Sequence, residues 1–198
     1  MIAGHYAMAL VPYELTRKSN KTTFWIFLLA SQFLDFIMLI FVDLGIEALK
    51  PEKLMDLAFQ TSSAEMTVSH DIIPALIWSI VVGTLVWLAT RESVIALWCA
   101  ALVSIHEIFD LFVGFTHNVH GSGTQALGLG LYNSDPVFGF LIEAILCFSI
   151  VSWFCWHRSA TGTPCSPKLK WSLYVILVGA SVAQLPIATQ SLNVWLNV

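Results

Sequence analysis

His106 and Asp110 stand four residues apart in the run Ser104-Ile105-His106-Glu107-Ile108-Phe109-Asp110. On a helix that spacing places both side chains on one face, within reach of a single ion. Imidazole and carboxylate are ligands for zinc, and equally for manganese or iron. A lone pair of this kind is more often a hydrogen bond than a metal site, so its company decides the reading. That company is Asp35, in the apolar run Phe33-Leu34-Asp35-Phe36-Ile37, together with His70-Asp71 before Ile72, Glu143 in Phe140-Leu141-Ile142-Glu143-Ala144, and His5 near the start. Burying these carboxylates and imidazoles together without a cation would leave uncompensated charge in a low-dielectric site. A divalent metal is therefore expected, zinc first, with manganese or iron as alternatives. A bound metal would bring the pKa of a water toward neutrality and polarise an ester or phosphoryl oxygen, which is the chemistry of a hydrolase. Such a water needs a base that is not itself a ligand. Glu143 and Glu107 are the two candidates, and Glu143 is equally readable as a buried acid hydrogen-bonded to Asn133, Ser149 or a neighbouring helix.

The elements that must position these residues are membrane helices. Of the 198 residues 57% are hydrophobic and 11% charged, against roughly 25% charged in a soluble domain, and the mean hydropathy is +0.77. A hydrocarbon core of about 30 Å needs about 20 apolar residues in a helix, and candidate spans lie near 22–45, 70–90, 93–115, 135–157 and 169–190. The expected fold is all-α: an integral membrane helical bundle of about five transmembrane helices plus a short N-terminal half-helix, since Met1 to Tyr13 is apolar but too short to cross. Residues 1–157 would form a four-helix membrane core carrying the polar cluster, and 158–198 a cytoplasmic connector and a fifth transmembrane helix whose end is broken by Gln184 and Pro186. At about 1.5 Å per residue, Asp35 and His106 each lie about 20 Å from the inner surface, with Glu143 at a similar depth.

Seven of the nine basic residues, Arg17, Lys18, Lys21, Arg91, Arg158, Lys168 and Lys170, fall on one side of that arrangement. Basic loops stay cytoplasmic. The N-terminal basic segment is thus expected inside, as in a bacterial inner membrane, with loops 46–69 and 116–134 and the C-terminus outside. Few basic residues and a net charge of −4 exclude a nucleic-acid surface. The expected partners are membrane lipids, a lipid-like substrate, and, through the fifth helix, a second copy or a membrane complex. Cys99, Cys147, Cys155 and Cys165 show no C-x-x-C spacing and predict neither a disulfide nor a thiolate site. His117 and His120 are loop histidines that are either solvated or placed to gate the site, and the Trp residues near span ends read as an interfacial belt.

With these residues in order, the chain resembles the membrane-bound metal-dependent hydrolases, a family distantly similar to zinc-dependent phospholipases C. The resemblance rests on Gly4-His5, Gln32-Phe33-Leu34-Asp35, Ser69-His70-Asp71, the Ser104 to Asp110 motif, and Gly128-Leu129-Gly130-Leu131-Tyr132-Asn133-Ser134-Asp135-Pro136, and covers about residues 1–157. It implies a metal held by His5, Asp35, His70, His106 and Asp110. Glu65 stands where the family commonly has another His and, as a carboxylate, is a further candidate ligand for a hard metal; Asp71 stands where the family usually has Ser. The implied activity is hydrolysis of a lipid-derived or amphiphilic ester or phosphoester. Two other classes remain open on the residues: an accessory subunit of a membrane complex with a structural polar or metal site, and a proton or metal carrier.

Overall fold

The computed structural model describes residues 1–16 and 20–196. Arg17 and Lys18, two of the basic residues used to orient the chain, lie outside the described residues. The fold is an all-α bundle with two minute β-ribbons. Among the described residues four helices are long and apolar enough to cross a membrane, or five if one bent pair counts as a span.

A short pair, α1 (Ile2–Met8) and α2 (Leu10–Leu15), opens the chain. Small residues carry its packing: Ala3, Gly4, Ala7 and Ala9 are buried, which lets the backbone sit deep in the bundle. The bent pair follows. Asn20 caps α3 (Lys21–Ser31) by accepting from the Thr23 amide at 2.9 Å. Gln32 interrupts the helix at φ −111, ψ 9, and α4 (Phe33–Asp43) continues at 55° to α3. The sequence reading expected one continuous span here. Contacts with distant segments hold the break: the Ser31 carbonyl accepts from His106 Nδ1 at 2.8 Å, and Gln32 Nε2 donates to the Ile2 carbonyl at 2.7 Å.

A tight hairpin follows, of α5 (Ile72–Thr90) and α6 (Ser93–Val113), turned by Arg91 in the left-handed conformation, with α6 the more deeply packed of the two. Small and hydroxylated residues line its seam. Ser79 Oγ donates to the Ala100 carbonyl at 2.7 Å, Ser104 Oγ to Ser79 Oγ at 3.0 Å, and a Cβ on Gly83 would stand 3.0 Å from that of Ala100. After α6 a short α7 (Leu131–Ser134) leads into α8 (Pro136–Ala160), where Asp135 caps the start by accepting from the Phe138 amide and Pro136 fills the first turn. The last span begins with α9 (Pro167–Leu173), passes through one π-helical turn (Tyr174–Val178) and ends in α10 (Gly179–Val182). Beyond Gln184 only a 3₁₀ turn, Leu185–Ile187, and α11 (Leu192–Leu196) follow, so the expected interruption at Pro186 is present. This span packs on α8 and α1 through Leu177, Cys147, Val151 and Phe154.

The ribbons cap one end of the bundle. Strands β1 (Ala48–Lys50) and β2 (Ser63–Glu65) pair antiparallel, as do β3 (His117–Asn118) and β4 (Ala126–Leu127). Lys21, Arg91, Arg158 and Lys168 stand at the opposite helix ends. Between that end and the polar layer the interior is apolar, filled by Phe27, Leu34, Cys99, Leu102 and Val103.

Candidate metal centre

Four elements bring four ligand atoms together. Asp35 lies in the first turn of α4, which starts there because Gln32 breaks the preceding helix; a carboxylate suits that helix end. His70 comes just before α5, and α6 presents His106 and Asp110 one turn apart, as their spacing predicted. One ligand atom from each of these residues lies within 4.8 Å of all the others, a geometry that can hold a metal ion. Asp35 Oδ1 is 3.5 Å from His70 Nε2 and 3.7 Å from His106 Nε2, and Asp110 Oδ2 is 3.8 Å and 3.3 Å from the same nitrogens.

Hydrogen bonds on the far sides of the rings choose which nitrogen faces the centre. His106 Nδ1 donates to the Ser31 carbonyl, so in the neutral ring Nε2 carries the lone pair, and that buried atom has no hydrogen-bond partner among the described residues. For His70 the logic runs through two groups. Ser69 Oγ gives its single hydrogen to the Glu47 carboxylate, whose oxygens are 3.0 and 2.8 Å away. It must then accept from His70 Nδ1 at 2.8 Å, which again leaves Nε2 free to ligate. The amides of Val68 and Ser69 fix Glu47 by donating to its Oε1. An orphaned Nε2, two facing carboxylates and oriented imidazoles form the donor set of a zinc, manganese or iron site, so the residues present fit such an ion.

His106 is fully buried, whereas 28% of the Asp35 side chain remains exposed. Asp35, His70 and Asp110 share a chamber of 110 Å³ lined also by Ile2, Met66, Gly114, Phe115, His117 and Tyr132. Next to the chamber, at the ribbon end, a polar cavity of 390 Å³ is lined by Glu65, Thr67, Asp71, Asn118 and Ser122. Met66 and His117 belong to both walls.

The remaining expected residues lie around this group. His5 does not join the four. Its ring stacks on that of His106 with centroids 3.5 Å apart, and its Nε2 is 3.1 Å from Asp110 Oδ1, the oxygen that the Met1 amino nitrogen also approaches at 2.5 Å. Glu65 is exposed at the end of β2 and lines the polar cavity, because the loop that carries it folds into a ribbon with Ala48–Lys50 and is drawn away from the buried ligands. Neither Glu143 nor Glu107 lines the chamber. Glu143 Oε1 accepts from the Gly4 amide at 2.9 Å, so it holds α1 in place, while its Oε2 is unpartnered. Glu107 lies 3.1 Å from His117 Nδ1, which donates to the His70 carbonyl at 2.8 Å. Burial opposes the charged form of His117, but the nearby Glu107 carboxylate outweighs it and holds its pKa above the ordinary value.

Three contributors escaped the sequence reading: Glu47, the break at Gln32, and the role of Asp71. Asp71 Oδ1 accepts from the Asn118 amide at 2.9 Å and Oδ2 from that of Gly121 at 2.5 Å, which ties the His117 ribbon over the site. The stretch after it closes the same side. Gly128, at φ +107, lies so near Leu111 that a Cβ would stand 3.0 Å from its carbonyl, and this approach lets the Leu129 amide donate to Leu111 O at 2.8 Å. Asn133 Nδ2 then donates to the Ser62 carbonyl at 2.8 Å, joining the two loops. Compared with protein-family models, with curated proteins and with solved structures, the chain matches none of them.

Proposed function

We propose that this chain is an integral membrane metal-dependent hydrolase acting on an amphiphilic ester or phosphoester. One observation carries the reading: four convergent ligand atoms, with His106 Nε2 buried and without a hydrogen-bond partner among the described residues, lie at a chamber lined by Asp35, His70 and Asp110 and adjoining a polar cavity. The motifs shared with membrane-bound metal-dependent hydrolases support it, and zinc is the ion we assign first. When bound, the ion would supply Lewis acidity toward an ester or phosphoryl oxygen and an acidified water. Asp35, His70, His106 and Asp110 would hold it, His5 and the Glu47–Ser69 pair would fix the ligands, and the apolar packing of Phe27, Leu34 and Leu102 below would exclude water from the opposite side. A proton acceptor has to reach the chamber, and the polar side chains lining it besides the ligands are His117 and Tyr132. Glu107 then acts as a positioning residue through His117, and Glu143 through α1. With Lys21, Arg91, Arg158 and Lys168 at helix ends remote from the ribbons, we place the ribbon end away from the cytoplasm.

The apolar filling between the cluster and the Arg91 turn disfavours a carrier, which needs a polar path on both sides. The test is metal content per chain of detergent-purified protein by plasma mass spectrometry, alongside a His106→Ala/Asp110→Ala variant, followed by an ester and phosphoester screen. Stoichiometric zinc, manganese or iron that disappears in the variant, with turnover that disappears with it, is the expected result. A folded wild type that binds no divalent metal would sink the proposal.

A further inference from the structure

The metal chamber has a second neighbour, of opposite character to the polar cavity. Between α1, α3 and the last span runs a groove of 450 Å³ whose wall includes Ile2, Tyr6, Phe24, Leu28, Ile176 and Ala180. Tyr6 is the one lining residue that carries a polar side-chain atom. Ile2 belongs to both this groove and the metal chamber. Polar cavity and chamber therefore adjoin at Met66 and His117, and chamber and groove at Ile2, so the three lie in series. The groove is flanked by exposed apolar residues, Ile2 at its chamber end and Ile176 on the π turn, so its side faces the acyl phase when the helices span a bilayer.

We infer that the apolar groove holds the single acyl chain of the substrate, with the bond to be cleaved at Asp35 in the chamber and the polar head in the cavity lined by Asp71, Asn118 and Ser122. The inference rests on the hydrolase reading and names its substrate class, single-tailed amphiphiles. A second apolar hollow supplies the internal contrast. It lies along the α5–α6 seam, measures 530 Å³, and is lined by Ile80, Thr84, Trp87 and Leu97. Size alone would make it the better lipid site, but its wall includes the hydroxyls of Thr84 and Ser93 and it shares no residue with the chamber. Of these two apolar hollows, the groove at Ile2 alone shares a lining residue with the chamber, which provides there for one tail and not two. Volumes of this order are those of ordinary small-molecule sites.

The experiment uses the full chain in nanodiscs and a palmitoyl lysophosphatidylcholine carrying a diazirine at the tail end, with a diacyl phosphatidylcholine bearing the same tail as comparison. After irradiation, the labelled peptides are mapped by mass spectrometry. The lysolipid is expected to concentrate label on 2–10, 24–28 and 173–180, and Ala180→Trp or Leu28→Trp, each filling the groove, to reduce that label at least about ten-fold. Thr84→Trp, in the seam hollow, is expected to leave it unchanged. Equal labelling of both apolar surfaces by either lipid, or labelling indifferent to both groove-filling variants in folded protein, overturns the inference. Metal content and turnover are read on the same samples: label in the groove without metal or hydrolysis removes the hydrolase reading and keeps the groove, whereas metal and hydrolysis without label in the groove do the reverse.

Discussion

Two histidine–acid clusters in this chain, one at each end of the bundle, differ in what they leave unpaired. At the end remote from the ribbons, Glu14 receives His157 Nδ1 at 3.0 Å and lies 3.5 Å from Arg158 Nη1, so one carboxylate meets two basic groups. His157 and Arg158 keep 29% and 27% of their side chains exposed, and water can complete what the pair lacks. The Asp35–His70–His106–Asp110 cluster has two carboxylates, two rings held by their far sides, and a buried nitrogen with no partner. The residue types are nearly the same. The difference lies in how they are oriented: the first cluster is closed on itself and joins α2 to α8, while the second points its ligand atoms at one common point, a geometry that can hold a cation.

The sharpest way to break this contrast is to remove a ligand at one end and not at the other. His106→Ala or Asp35→Asn is expected to lower bound metal from about one ion per chain to none, in protein that still elutes as a folded species, and to abolish any chelator-sensitive rise in thermal stability. Metal retained by both variants would contradict the assignment. Next in size is the orientation of His70. Glu47→Gln, which weakens the grip on Ser69 and so on the ring, is expected to reduce metal affinity by about 10–100-fold in competition with a chromophoric chelator. An unchanged affinity would show that the Glu47–Ser69 relay does not hold the ligand.

A smaller effect concerns the cover and not the centre. Asp71→Ala removes the acceptor of the Asn118 and Gly121 amides, at a cost of about 1.5–3 kcal/mol for hydrogen bonds to a charged group. Hydrogen exchange is expected to quicken across 117–127 while metal content stays at the wild-type level. Protection unchanged in that stretch would mean that the ribbon is held by other contacts. Smallest of all is the self-satisfied cluster. Glu14→Gln is expected to change stability by no more than about 1 kcal/mol, the range of partly exposed ion pairs, and to leave metal binding untouched, which denaturation and mass spectrometry would check together.

Much of this organisation was legible because the solvent is the membrane. Spans announce themselves by length and apolarity, and an acid such as Asp35 or a His106–Asp110 pair stands out against a background that penalises it. Depth along each helix then sufficed to bring Asp35, His70, His106 and Asp110 into one layer. What stayed hidden depends on contacts between distant segments. Gln32 carries neither the Pro nor the Gly that usually marks a break, and its interruption is stabilised by the Ile2 carbonyl and His106, remote in sequence. Glu47 is one acid among several in a loop, and nothing local separates it from Glu52 or Glu65. The expectation for Glu65 came from family spacing alone. In the folded chain, pairing of Ala48 with Glu65 sets the direction of that loop, and the carboxylate ends in the polar cavity.

The centre also has a meaning for the chain as a polymer. His106 is bonded 75 residues back to Ser31, and His5 meets Asp110 across 105. An ion at the cluster would tie α4, the start of α5 and α6 at a single knot, closing loops that an unfolded chain would otherwise be free to explore. The entropic gain from such a tie grows only slowly with loop length, as its logarithm. Its value for assembly lies instead in order of events: Asp35 and His70 emerge during synthesis well before α6 supplies the other two ligands, so the knot can be drawn only after the α5–α6 hairpin has formed.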